Sequence, residues 1–388
     1  MMARVKGQRK PIKHQAAASA AFGWGQEGPL DWSDEFSEKI NGRHQNTPTS
    51  VFKITKSMFE YICSLVEEDM MEKPPHLAFT NGQPVSLHDQ VAVALRRLGS
   101  GDSLVLIGGI FGVSNTMVSQ ITWKFVESME NRGLLHLKWP PTERELIEIK
   151  SKFGKLQSLP NCCGVVDVTH INMCLASTEP NKDVWLDHEN KHSMVLQAIV
   201  DPDMRFRDIV TGWPGQMKDW MVFEDSTFHK LCDEGERLNG NIIRLPDGSE
   251  IREYIIGDSG YPLLPYLIVP YKGEEQELSV SQANFNRRHL ETRMVAKRAL
   301  VMLKEMWGII QGTMWRPNKH RLSKVILVCC ILHNIVIDMG DRVQNEQLSN
   351  LPTNHDPGYH QLICEAEDPQ GVLLRENVSR YLSQGMAP

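Results

Sequence analysis

An apolar run that stops on a carboxylate constrains this chain more than any other feature. Tyr254-Ile255-Ile256 leads straight into Gly257-Asp258-Ser259, and a loop rich in Pro and Gly separates that turn from a long amphipathic stretch. There Val295, Ala299, Met302 and Met306 recur at intervals of four and three, and no Pro or Gly intervenes before Gly308. The spacing predicts one helix, running from Asn286 through Trp307. A strand that delivers an acid at its C-terminal end is a common way to build a reactive centre in an α/β fold. Taken alone, Asp258 reads equally as a turn or cap residue.

Other motifs stand in order around this one. Cys163-Gly164-Val165-Val166-Asp167-Val168-Thr169-His170 is a second apolar strand enclosing an acid. Gly212-Trp213-Pro214-Gly215 follows, with Asp219 four residues on, and Cys329-Cys330-Ile331-Leu332-His333-Asn334 lies in a nearly apolar helix. With Asn286 to Lys304, these five motifs resemble the PIF/Harbinger transposases, DDE nucleases with an RNase H-like core. The match runs from about Val51 to Asp338. It implies an α+β chain: an N-terminal all-helical helix-turn-helix domain (51–140), then an RNase H-like α/β DDE transposase domain (155–338). It also implies that Asp167 and Asp258 correspond to the first and second catalytic aspartates.

At the third position the chain departs from the family. Aligning Asn286 and His289 with the family's asparagine and histidine puts the glutamate slot at Lys297. Three carboxylates hold the paired divalent metals, magnesium or manganese, that activate water and stabilise the leaving oxygen. An ammonium removes a ligand and adds positive charge beside the metals; each unit charge pair at ~4 Å and an effective dielectric near 20 costs about 4 kcal/mol. Glu291, six residues back, projects about 120° away, and Glu305 lies about 12 Å further along the axis. No acid stands three or four residues from Lys297. The expectation is therefore a vestigial triad of Asp167, Asp258 and Lys297. Catalysis and a cofactor are not expected, and any metal would be held weakly by Asp167 and Asp258. Without the resemblance Lys297 is a solvated lysine, about 160° off the stripe of Val295 and Ala299.

Composition narrows the class further. Hydrophobic residues make up 41% and charged residues 23%, ordinary for a globular chain. No apolar run reaches the roughly 20 residues that span a bilayer, and the first 25 residues lack a signal-peptide core. The eight cysteines show no Cys-x-x-Cys spacing, so buried, reduced thiols are expected rather than a zinc site. Residues 1–30 hold five bases against one acid, +4 of a total of −6, which leaves −10 for the rest. A body so acidic is a poor binder of phosphate, where each neutralised group calls for a base.

Along the chain, residues 1–50 read as a flexible basic arm; Arg4 to Lys13 is either a nuclear localisation signal or a solubilising tail. Ser86 and Ser103 are placed to cap helices, and Gly112-Val113-Ser114 turns into Thr116 to Met129, a helix-turn-helix pattern. Between Ser86 and Glu130 three bases face four acids. That balance suits structural or partner binding better than sequence-specific DNA binding. A short helix is expected over Glu143 to Phe153, strands over Val165–Asp167, Met194–Val200 and Arg205–Gly212, and one helix over Trp220–Cys232. Asp233–Arg252 reads as an insertion and Val325–Ile337 as a core helix. Residues 339–388 read as a mostly disordered polar tail in which Leu373 to Leu382 could form a short amphipathic helix.

The function expected is that of a domesticated transposase kept as an interaction scaffold. The resemblance implies the nucleus, association with Polycomb repressive complex 2 subunits, a Myb/SANT-like DNA-binding partner, and only weak or indirect DNA contact, with no membrane. The competing reading is a working metal-dependent DNA endonuclease or transposase.

Overall fold

A computed structural model describes residues 54–72, 77–79, 82–245, 247–274, 276–315, 317–340 and 363–384. The expected basic arm and Asn345 to His360 lie outside these residues. Among the described residues four helices come first: α1 (Lys56–Met71), α2 (Leu87–Ser100), α3 (Leu104–Phe111) and α4 (Asn115–Arg132). Each starts on a hydroxyl cap, Thr55, Ser86, Ser103 and Ser114, whose oxygen accepts from the backbone N–H three residues on. Gly112 closes α3 at φ 66°, a left-handed turn that glycine enters without a Cβ penalty, and α4 leaves at 98° to α3.

The linking helix α5 spans Glu143–Gln157. It leads to β1 (Cys162–Cys174), much longer than the strand expected around Asp167 because its β-branched run continues past it. Next come β2 (Ser193–Val200) and β3 (Phe206–Pro214). The single helix expected over Trp220–Cys232 is two, α6 (Asp219–Glu224) and α7 (Thr227–Asp233). The break falls at Ser226, whose hydroxyl accepts from His229 N at 3.0 Å and starts a new helix. Inside the insertion, β4 (Ile243–Arg244) and β5 (Glu250–Ile251) make a small hairpin. Then β6 (Tyr254–Ile256) and β7 (Leu267–Ile268) complete the main sheet.

The main sheet runs β3-β2-β1-β6-β7. β1 pairs antiparallel with β2, and parallel with β6 through Val165 opposite Ile256. That register sets Asp258, two residues past Ile256, level with Asp167, two past Val165. Across the sheet lies α8 (Val280–Met306), one unbroken helix. After α9 (Gly308–Gln311), β8 (Met314–Trp315) extends β1 at its far end. The core helix α10 (Lys319–Met339) follows, with Cys329 to Ile335 fully buried. By length and composition α10 is apolar enough to cross a bilayer, contrary to expectation, yet 67% of that stretch is buried inside the fold. It is a core helix.

In the tail expected over 339–388, the short amphipathic helix expected over Leu373 to Leu382 is present, longer than expected and docked on the body, while 341–362 lie outside the described residues. Pro369–Gln384 forms α11, which buries Leu374, Val378 and Leu382 on one face. Their spacing of four is the amphipathic signal. Its polar inward groups reach backbone carbonyls: Asn377 donates to Glu250 O at 3.0 Å, and Arg375 donates to Pro270 O at 3.3 Å and stacks on Tyr271 at 4.3 Å. The strand-like lead-in laces onto the loop after Asp258, with Cys364 N donating to Ser259 O at 2.9 Å and Leu263 N to Ala366 O at 3.0 Å.

Candidate functional site

Two strand ends and one helix build the site. Asp167 on β1 accepts from Val168 N through Oδ1 at 2.9 Å, and Asp258 accepts from Gly260 N through Oδ1 at 2.9 Å. Both carboxylates are thus aimed by the backbone, with each Oδ2 left pointing at α8. There Arg293 Nη2 donates to Asp167 Oδ2 and Asp258 Oδ2, at 3.1 Å each. One guanidinium nitrogen bridges the two acids. Burial pushes the Asp258 carboxyl up; the Arg293 charge opposes this and the neighbouring Asp167 adds to it. For Arg293, burial works against the charged form, but the two carboxylates outweigh it and hold the group above its usual value.

The register of α8 is fixed by its own first half. Asn286 clamps Tyr271, its Oδ1 accepting from Tyr271 N at 2.8 Å and its Nδ2 donating to Tyr271 O at 2.9 Å. His289 is buried against the carbonyl of Ile268, 3.4 Å away, and burial pulls its pKa to about 3, so it stays neutral. These two residues therefore bolt the helix to the β6–β7 edge. Arg293, one turn beyond His289, is delivered to the aspartates.

Lys297 lies one turn further on. Arg293, Lys297 and Lys304 fall within an arc of about 40° on a helix advancing about 100° per residue. Arg293 touches Asp167 of β1, and Lys304 Nζ donates to His170 O of β1 at 3.0 Å. Lys297, bracketed between two residues that both reach β1, faces the same strand ends. Its charge adds to the pull that lowers Asp258. It is partly exposed, and its ammonium enters no ion pair or hydrogen bond among the described residues. The structure thus gathers Asp167, Asp258 and Lys297 and adds Arg293. The missed signal was the cation four residues before Lys297, on the same face.

Asp219 sits in the first turn of α6, buried; its charge acts on the Tyr261 hydroxyl, as do those of Asp258 and Asp167. Tyr261 donates to Gln197 Oε1 at 3.0 Å. Even so, among the described residues no group of three or more His, Cys, Asp or Glu side chains could hold a metal ion. Two carboxylates sharing a guanidinium, with an ammonium alongside, do not fit a paired-metal centre.

The remaining motifs have structural work. Gly215 packs on the carbonyls of Trp185 and Ser193, where a Cβ would stand 2.9 and 3.1 Å from them. Asn334 of α10 takes both Phe206 backbone groups, at 2.9 and 2.8 Å, and donates to His136 O at 2.8 Å, tying the helical unit to the sheet. All eight cysteines are free thiols, six of them buried.

Between Ser86 and Glu130 the three bases are engaged within the protein. Arg96 pairs with Asp102 at 3.2 Å, Arg97 bonds the Asp102 carbonyl, and Lys124 Nζ donates to Met70 O at 2.6 Å. The exposed positions of α4 before its last turn are Asn115, Thr116, Gln120 and Glu127.

A profile described as DDE superfamily endonuclease matches residues 166–334. An Arabidopsis thaliana protein named ALP1-like is 51% identical over 91% of this chain and 86% of its own length. Antagonist of Like Heterochromatin Protein 1 from the same plant is 44% identical over 91% and 89%. Mouse HARBI1, whose name marks it as a candidate nuclease, is 26% identical over 76% and 81%. No solved structure matches the chain.

Proposed function

For a chain that belongs to the Harbinger-type, transposase-derived proteins of the DDE endonuclease superfamily, we propose a protein that has lost nuclease chemistry and serves as a chromatin-associated interaction scaffold. One observation carries this reading. The centre that would need three carboxylates holds two, matched by two cations, Arg293 and Lys297. A hard divalent ion there meets a charge sum near zero instead of −3, and would have to displace a buried guanidinium.

The helical unit supports the same reading. Its bases between Ser86 and Glu130 are engaged internally, which suits the helix-turn-helix pattern to a structural role and leaves DNA recognition to a separate protein, of the Myb/SANT-like kind. The sheet order β3-β2-β1-β6-β7 supports an RNase H-like ancestry. The name of one relative, Antagonist of Like Heterochromatin Protein 1, supports a role at chromatin; action in the nucleus with Polycomb repressive complex 2 is part of this proposal.

The test is calorimetric titration with manganese beside a cleavage assay on labelled duplex DNA. The unaltered protein should show neither paired tight sites nor cleavage, and Lys297→Glu should bind the metal more tightly. Stoichiometric, submicromolar manganese binding by the unaltered protein would falsify the proposal. Affinity purification from nuclei then tests the scaffold role, with Polycomb subunits expected among the retained proteins.

A further inference from the structure

Away from the strand ends, the seam between the helical unit and the sheet holds three side chains in one chain of hydrogen bonds. Tyr61 of α1 meets His136, the last residue of the short 3-10 helix Gly133–His136, with Oη 2.9 Å from Nε2. On the other side of the ring, His136 Nδ1 stands 3.4 Å from Asp338 Oδ2 of α10. Arg205 pairs with the other oxygen of Asp338. An ionised carboxylate can only accept, so Nδ1 carries the proton and Nε2 is left with a lone pair, to which Tyr61 donates. Asn334, one turn before Asp338, donates to His136 O at 2.8 Å, so α10 fixes this residue at backbone and ring. Burial, then the charges of Arg205 and Lys138, holds the His136 pKa below its ordinary value, which leaves the ring neutral at pH 7. Tyr61 is half-buried, and Leu134 and Leu135, just before His136, are 47% and 52% exposed. A hydroxyl on the lone pair of a neutral imidazole, itself oriented by a carboxylate, is the arrangement that activates a nucleophile.

We infer that Tyr61, His136 and Asp338 form a second reactive centre, in which the Tyr61 hydroxyl takes the acyl group of an activated carboxylic ester with a short aliphatic chain. The phenol oxygen bonds the ester carbonyl carbon while its proton passes to His136 Nε2. The bond from that carbon to the leaving alcohol then breaks, and the alcohol departs with the proton from His136. Water hydrolyses the resulting aryl ester, which releases the carboxylic acid and restores Tyr61. Leu134 and Leu135 offer the acyl chain an apolar surface, and Asp338 is a positioning residue that fixes the tautomer. The inference is independent of the proposed function, since it uses no residue of the Asp167–Asp258 site.

The test incubates the full chain with p-nitrophenyl butyrate, follows the release of p-nitrophenol, and locates the acylated residue by peptide mass spectrometry. In the unaltered protein Tyr61 should be butyrylated faster than Tyr381, which is more exposed than most large side chains of the fold. Tyr61→Phe should abolish that labelling, and His136→Gln should slow it by about a hundredfold. The rate should rise with pH through a midpoint below about 6.5, because only neutral His136 accepts the proton. Asp338→Asn should slow acylation and move the midpoint lower still, since an anion that favours the protonated ring is lost. A merely structural role for Asp338 would not shift that midpoint. Thermal melts check that each variant is folded. Acylation of lysines alone overturns the inference, as does labelling of Tyr61 no faster than that of Tyr381. Should His136→Gln fail to fold, the pH profile of the unaltered protein decides: a rate that climbs only toward the ordinary phenol pKa of about 10 overturns it.

Discussion

Arg293 is held between two acids that the backbone itself positions, so its removal and theirs are not symmetrical. Asp167→Ala leaves a buried guanidinium with one carboxylate, and breaking a buried pair in this way costs about 3–5 kcal/mol. Asp258→Asn should cost less, because its amide oxygen still accepts at one of the two positions that now take Arg293 and Gly260 N, and the side-chain volume is kept. Urea unfolding of the two variants should rank them in that order, and a larger loss for Asp258→Asn would contradict the bridge. In the sequence both aspartates were legible as acids in apolar strands, and Lys297 as the residue in the third slot. Arg293 was not legible as their partner, because which face of α8 meets β1 follows only from the bolts at Asn286 and His289.

Among the elements, α11 changes most between sequence and structure. Its three inward residues, Leu374, Val378 and Leu382, are spaced for a helix, yet a polar, terminal stretch gives no sign of what that face meets. The groove between α8 and the β5–β7 edge supplies the answer, and the lacing at Ser259 and Leu263 places the segment directly behind the Asp258 loop. Leu382→Ala, at a side chain 2% exposed, should destabilise by about 2–5 kcal/mol. Amide exchange should speed up in 259–272 as well as in α11, since the lead-in to α11 shares backbone hydrogen bonds with that loop. Unchanged exchange in that loop would show that α11 is not its support.

For the molecule as a whole, three buried histidines set a pH dependence. Burial lowers His170 to about 4, His289 to about 3 and His333 to about 4. In the unfolded chain each titrates near 6.5, so between that value and the folded one unfolding takes up protons and stability falls with pH. Each should add up to about 1.4 kcal/mol per pH unit to the slope once the pH is well below about 6.5. Asp208, raised to about 7 by burial, acts in the opposite sense over the same range, so the histidine contribution is read as a difference between variants: His333→Asn should lessen the loss of stability between pH 7 and pH 5. An unchanged difference between the two pH values in that variant would refute the assignment.

Sequence alone determined what is local: the hydroxyl caps, the apolar periods of α8 and α10, the strands around Asp167 and Asp258, and the absence of an acid one turn from Lys297. These follow from side-chain spacing and from backbone hydrogen-bonding needs within a few residues. Tertiary structure alone decided the level register of the two acids, which depends on the parallel pairing of β1 with β6. It decided the guanidinium between them, the commitment of the bases between Ser86 and Glu130 to internal partners, and the docking of α11. Each brings together residues tens to hundreds apart in the chain, and the choice among partners is made by burial and charge compensation, which no short window contains.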